Sequence, residues 1–282
     1  DNRDLWDELI NTLCFWAQYV DGFRCDVAPL VPLGFWLEAR RRVEAVRKDC
    51  IWLAESVEHD FIRYLRAQKL VALSDSELYQ AFDVLYDYDV YPDFIAYTEG
   101  RIPLSAYVAA LVKQESTYPA NYVKLRCTEN HDRPRTATLF PDPIVRENRI
   151  AWTFFQKGMP MLYCGQEWGV DHTPSLFDAD PVMREGEPMH EALMKTLIAM
   201  KKDPLFSEGV YEIEAQENDV IVASWTLSDR KAVGVFSMKG FASETEVPLF
   251  DGTYRDLLSG KEHTVRDGKL RVSGAPLIIC IG

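Results

Sequence analysis

Asp21-Gly22-Phe23-Arg24-Cys25-Asp26 and, further on, Ile51-Trp52-Leu53-Ala54-Glu55-Ser56 are two short apolar runs that each deliver a carboxylate at their end. Between them lies a turn with Pro29, Pro32 and Gly34, then a helical pattern over 35–48 with Trp36, Ala39, Val43 and Val46 on one face. Strand, crossover helix and strand make the unit of a parallel sheet. The runs are apolar throughout rather than alternating, as expected of strands covered on their outer face.

Outward from this unit the pattern repeats. Asp1, Asn2 and Asp4 read as a helix start, with Leu5, Trp6, Leu9, Ile10, Leu13, Trp16 and Ala17 as the apolar face. Downstream come a strand over 82–88, helices near 92–97 and 104–113, an apolar run over 122–127, a helix carrying Ile150, Ala151, Phe154 and Phe155, a run over 159–164 and a helix over 188–202. Beyond Pro204 the pattern becomes short strands at 210–213, 220–225, 232–237, 270–272 and 277–281, with Asn218, Gly252, Gly260 and Gly268 at turns. The expected organisation is an α/β domain over 1–205 and a small all-β domain over 206–282.

Bulk properties narrow the function. A formal net charge of −13 leaves no basic stripe to neutralise phosphates, which argues against nucleic acid and anionic membrane surfaces. The six cysteines form no C-x-x-C pair, so a zinc site is not expected. Most sit in apolar runs and read as reduced core thiols, which favours a reducing, cytoplasmic compartment. No stretch approaches a membrane span and no signal peptide is visible.

Three polar clusters stand at the ends of apolar runs. Arg24 and Asp26, two apart on a strand, point to the same side, and the guanidinium holds the carboxylate ionised. A salt bridge at a strand end would look the same. Glu55 follows four apolar residues, where a carboxyl can act as a general acid; Glu55 and Ser56 would serve equally to cap a helix. Thr128-Glu129-Asn130-His131-Asp132 combines a histidine and a carboxylate that suit vicinal hydroxyls, or it caps a turn. Together the three gain weight. In a parallel barrel all strand C-termini share one face, where active sites are built. Two carboxyls about 5 Å apart there can perform double displacement at an anomeric carbon.

At this point the chain resembles the α-amylase superfamily. Asp21-Gly22-Phe23-Arg24-Cys25-Asp26 is similar to its strand-four motif, and Glu55 after Trp52-Leu53-Ala54 to its strand-five acid/base. Asn130-His131-Asp132 is similar to its strand-seven motif, and Gly158-Met159-Pro160-Met161-Leu162-Tyr163-Cys164-Gly165-Gln166-Glu167 to its strand eight. The resemblance implies a TIM-type (β/α)8-barrel followed by a small β-sandwich, and a retaining enzyme acting on α-linked oligo- or polysaccharides. It implies Asp26 as nucleophile, Glu55 as acid/base and Asp132 as the carboxylate that binds ring hydroxyls. Arg24 would position Asp26, and Asn130 and His131 would contact the sugar. Arg135 would reach the substrate or stand at the surface as an ordinary guanidinium. Trp168, past a strand end, is a candidate stacking face, whereas Trp52 and Tyr163 read as core. His59 and His172 are expected at the surface or in loops.

Val27 directly after the nucleophile resembles members acting on α-1,6 or mixed linkages, and Pro29 and Leu30 stand where the family has a Lys-His pair. No cofactor and no metal ligand set is expected; calcium belongs, if anywhere, to a longer parent protein. The family's first three strands and its strand-three Asn-His motif find no counterpart here. The expectation is therefore the C-terminal part of a longer enzyme, weakly active or inactive alone, whose sheet an N-terminal fragment or a second copy would complete. The rival expectation is a non-catalytic module that binds glycans or partner chains.

Overall fold

The computed structural model describes residues 2–282, which form two compact units, 2–125 and 126–282. The first unit runs α1 (Arg3–Trp16), β1 (Gly22–Cys25), α2 (Leu33–Glu44), β2 (Ile51–Ala54), α3 (His59–Ala67), α4 (Asp75–Leu78), β3 (Val84–Tyr86), α5 (Tyr91–Thr98), α6 (Leu104–Thr117) and all but the last residue of β4 (Val123–Arg126). The strands are parallel in the order β1-β2-β3-β4, with Gly22 opposite Ile51, Leu53 opposite Val84, and Val84 opposite Val123.

The first crossover is built as its sequence suggests. α2 buries Phe35, Trp36, Ala39 and Val43, which cluster with Trp52, Ala54 and Leu85. The helix stops at Glu44, so Val46 lies past its end and is exposed. α1 departs further from expectation. Asn2 caps it by accepting the Leu5 N–H at 3.1 Å, yet Leu5, Leu9 and Trp16 remain about half exposed while Ile10 and Ala17 are sealed. Its apolar face is wider than the surface it covers.

β4 carries an unexpected charge. Lys124 is wholly buried, with Nζ bonded to Asp75, to Asp89 at 2.9 Å and to the Tyr86 carbonyl at 3.2 Å. One cation serves two buried carboxylates, so the pair splits. Burial pushes the Asp75 carboxyl up despite Lys124. At Asp89 burial acts the same way but is outweighed by Lys124 and by hydrogen bonds from Gln114 and Tyr118, which hold it below the usual range.

Gly22 opens β1 because nothing larger fits. A Cβ there would lie 2.4 Å from the Ile51 carbonyl oxygen, which is fixed backbone. Gly22→Ala is expected to destabilise the protein by about 1–3 kcal/mol through this overpacking. A thermal melt coincident with wild type would show that the strand pair yields more easily than its spacing implies.

The second unit continues with α7 (Thr136–Leu139), α8 (Pro143–Phe155), β5 (Met159–Pro160), α9 (Glu191–Lys201) and α10 (Leu205–Glu208). The run 159–164 shrinks to a two-residue strand. Pro160 has no N–H to donate, and Met161 donates to the Arg126 carbonyl at 2.8 Å before the chain turns at Gly165. Then follow β6 (Val210–Gln216), β7 (Val220–Leu227), β8 (Arg230–Ser237), β9 (Ser243–Glu246), β10 (Gly252–Arg255), β11 (Glu262–Arg266), β12 (Lys269–Val272) and β13 (Leu277–Ile281).

They make two antiparallel sheets, β13-β8-β7-β6 and β10-β11-β12-β9. Val222, Val235, Val265, Leu270 and Ile279 belong to the apolar core of this β region. Helix α8 is buried over residues 148–155 and joins the β region: the Trp225 indole donates to the Phe155 carbonyl at 2.8 Å, and the rings of Trp152 and Phe155 both meet Phe236.

All six cysteines are free. Only Cys25 and Cys50 are buried, and Cys164 and Cys280 are exposed, so the core reading holds for fewer of them than expected. Among the described residues no helix is long and apolar enough to cross a membrane.

Candidate active site

In the first unit, β1 and β2 end level with one another. The ladder extends one step past them, the Glu55 N–H donating to the Cys25 carbonyl at 3.0 Å and the Ala28 N–H to the Glu55 carbonyl at 3.2 Å. This register sets the side chains of Arg24, Asp26 and Glu55 together. Arg24 bridges the two carboxylates: Nη1 donates to Asp26 Oδ1, and Nη2 reaches Glu55 Oε1 at 2.8 Å. The second Glu55 oxygen accepts the Val27 N–H at 2.8 Å.

The two carboxylates differ in setting. The Asp26 side chain is 79% exposed and that of Glu55 10%. Val27 pays for its hydrogen bond with a left-handed backbone, φ 40° and ψ 45°, which is strained for a β-branched residue. Desolvation pulls the Arg24 guanidinium down, but Tyr86, Asp26 and Glu55 outweigh it and hold it above the usual arginine value. Tyr86 lies beneath, its ring centroid 5.5 Å from the guanidinium carbon, and its carbonyl accepts the Ser56 hydroxyl at 2.8 Å. Burial pushes the intervening Cys25 thiol up to about 12, against a lowering by Arg24.

In the second unit, residues 128–136 follow β4. His131 and Asp132 are the half-exposed pair, His131 Nε2 standing 3.1 Å from Asp132 Oδ2. Asn130 is buried and works within the turn: its Oδ1 accepts the Asp132 N–H at 2.9 Å and its Nδ2 donates to Cys127 Sγ at 3.7 Å. Thr128 Oγ1 accepts from Gln166 Nε2 at 2.7 Å.

Arg135 corrects the sequence reading. It neither reaches outward nor stands at the surface; it is completely buried, bonded to Glu129 and to the carbonyls of Cys164 and His172. Glu129, in the motif but given no role of its own, proves to be its partner. Trp168 sits in a 3-10 turn, its indole donating to the Gly186 carbonyl at 3.1 Å and the Arg184 guanidinium 5.6 Å from its ring, so a stacking role would need Arg184 to share that ring or move aside. His59 and His172 are exposed as expected, His172 pairing with Asp180 at 2.9 Å. Tyr86 and the Val27 N–H carried no sequence signal, because one reads as an ordinary strand aromatic and the other is backbone.

Residues 1–210 match the α-amylase catalytic-domain family and residues 212–279 the bacterial α-amylase C-terminal domain. The chain belongs to the α-amylase family. Among solved structures it is similar to an α-amylase from Lactobacillus plantarum, 42% identical with a TM-score of 0.95, covering 100% of this chain and 67% of that one. A maltogenic α-amylase from Thermotoga neapolitana is 28% identical with a TM-score of 0.83, covering 99% and 66%. The α-amylase MalA of Haloarcula japonica is 27% identical over 93% of this chain and 38% of its own length. Against curated family members the chain spans between 26% and 47% of their length. These neighbours are (β/α)8-barrel enzymes, and the parallel strands and antiparallel C-terminal sheets described above fit that fold.

Proposed function

We propose that the protein carrying this chain is a retaining glycoside hydrolase that cleaves α-glucosidic bonds of α-glucans by double displacement. The observation that carries the reading is the Arg24 bridge, which holds one exposed and one shielded carboxylate at adjacent strand ends. Two carboxylates in unlike settings are what divided nucleophile and acid/base roles require. Asp26 attacks the anomeric carbon, Glu55 protonates the leaving oxygen and then takes a proton from water, and Asp132 with His131 holds ring hydroxyls. Family relatives named for the same substrate class support it: a maltogenic α-amylase of Bacillus acidopullulyticus and a neopullulanase of Thermoactinomyces vulgaris. Val27 after the nucleophile favours mixed-linkage substrates within that class.

Stereochemistry tests the reading. In proton NMR of a maltooligosaccharide digest, the first sugar released is expected as the α-anomer, with the β-anomer appearing only by mutarotation. Initial release of the β-anomer would mean a single displacement and would refute double displacement.

A further inference from the structure

We propose that Glu129 is a positioning residue of the active site, acting with Arg135 to set the loop that presents His131 and Asp132. The proposal rests on the function read above. Both side chains are out of water, at 1% and 0% exposure, and Glu129 uses both oxygens: Oε1 accepts from Arg135 Nη1 at 2.7 Å and Oε2 from the Thr136 N–H at 2.7 Å. Glu129 thus clamps the far end of the segment it begins, and Asn130, His131 and Asp132 are among the residues enclosed.

Arg135 extends the clamp. Its Nη1 also donates to the Cys164 carbonyl at 2.9 Å, its Nε to the His172 carbonyl at 2.9 Å, and its guanidinium carbon lies 4.4 Å from the centroid of the Tyr163 ring. One planar cation therefore fixes the 129–136 loop, the chain leaving β5 and the loop at His172. A point charge could not bind in those directions at once.

Stability alone is a poor reason for this pair. A desolvated ion pair gains little over apolar residues of similar volume, but its fixed geometry specifies one arrangement. His131 and Asp132 are half exposed, and the Asp132 N–H is held by Asn130 Oδ1 within the clamped segment. An error in the clamp moves the carboxylate meant to meet the distorted sugar, and such displacement acts on the transition state more than on binding.

The test compares steady-state kinetics of the active protein with Glu129→Gln, Arg135→Lys and a control, Asp256→Ala. Asp256 is buried in the β region and accepts the N–H groups of Leu258, Ser259 and Ile278, so its loss disturbs folding away from the loop. Glu129→Gln is expected to lower kcat about tenfold or more with KM changed less than about threefold, after correction for folded protein. Asp256→Ala is expected to lose activity only in proportion to folded protein. A Glu129→Gln variant with wild-type kcat, or with losses that track folded protein as the control does, overturns the proposal. Should Glu129→Gln fail to fold, Arg135→Lys decides: it keeps the charge but not the fork, and kcat should fall about fivefold or more, wild-type kcat being the refuting result. Asp26→Asn in the same series separates the two claims, since turnover surviving there would remove the functional reading itself.

Discussion

Asp26→Asn is expected to lower kcat on maltooligosaccharides by roughly 10^4-fold while leaving the fold intact. The argument starts from geometry. Asp26 is the more exposed partner of the Arg24 bridge, so its carboxylate is the one a sugar can approach. Asparagine keeps the size and one acceptor oxygen for Arg24, which preserves the local hydrogen bond. It removes the anionic oxygen that would attack the anomeric carbon and leave a glycosyl ester. Arg24 would still have Glu55 Oε1 at 2.8 Å, so the buried side of the site retains its charge partner. The loss should therefore be chemical rather than structural, visible as unchanged circular dichroism with collapsed kcat. A companion variant sharpens the assignment. Asp26→Gly leaves space for azide, which would attack from the same side and give a glycosyl azide of inverted configuration. Near wild-type turnover in Asp26→Asn would exclude Asp26 as nucleophile.

This core was legible because the relevant residues interrupt apolar runs at the positions where parallel strands end. Arg24 and Asp26 share a side by strand period alone, and Trp36, Ala39 and Val43 mark the buried face of α2 by helix period. Other features were hidden for physical reasons. The segments Ser243–Glu246, Gly252–Arg255 and Glu262–Arg266 form strands although they carry little apolar content, because that sheet meets the core on one face and water on the other. The helix His59–Ala67 buries just Ile62 and Leu65, too few to stand out in a polar stretch. Lys124 could not be placed, since a buried lysine depends on Asp75 and Asp89, which lie far from it in sequence. Arg135 failed similarly. Its partners are mainly backbone carbonyls of later loops, and a carbonyl leaves no residue type to read.

Glu55→Gln should separate substrates by leaving group. With maltooligosaccharides, whose departing alkoxide needs a proton, kcat is expected to fall about 10^3-fold, within the range for loss of a general acid. With α-glucosyl fluoride, fluoride departs almost unaided, so the first step should stay close to wild-type rate. The second step would then lack its base, and the glycosyl-enzyme should accumulate as a burst followed by slow turnover. The structure adds a requirement. Both Glu55 oxygens are engaged as acceptors, one from Arg24 Nη2 and one from the Val27 N–H. To carry a proton to the leaving oxygen, Glu55 must release one of these donors when substrate arrives. Val27 is the weaker hold, since its N–H is neutral and its left-handed backbone is strained. Glutamine can keep one acceptor bond but must turn its amide N–H toward the other donor, so the pair loosens without any gain in proton transfer. A loss of equal size across all leaving groups would count against the acid role and leave Glu55 as the residue that orients Arg24.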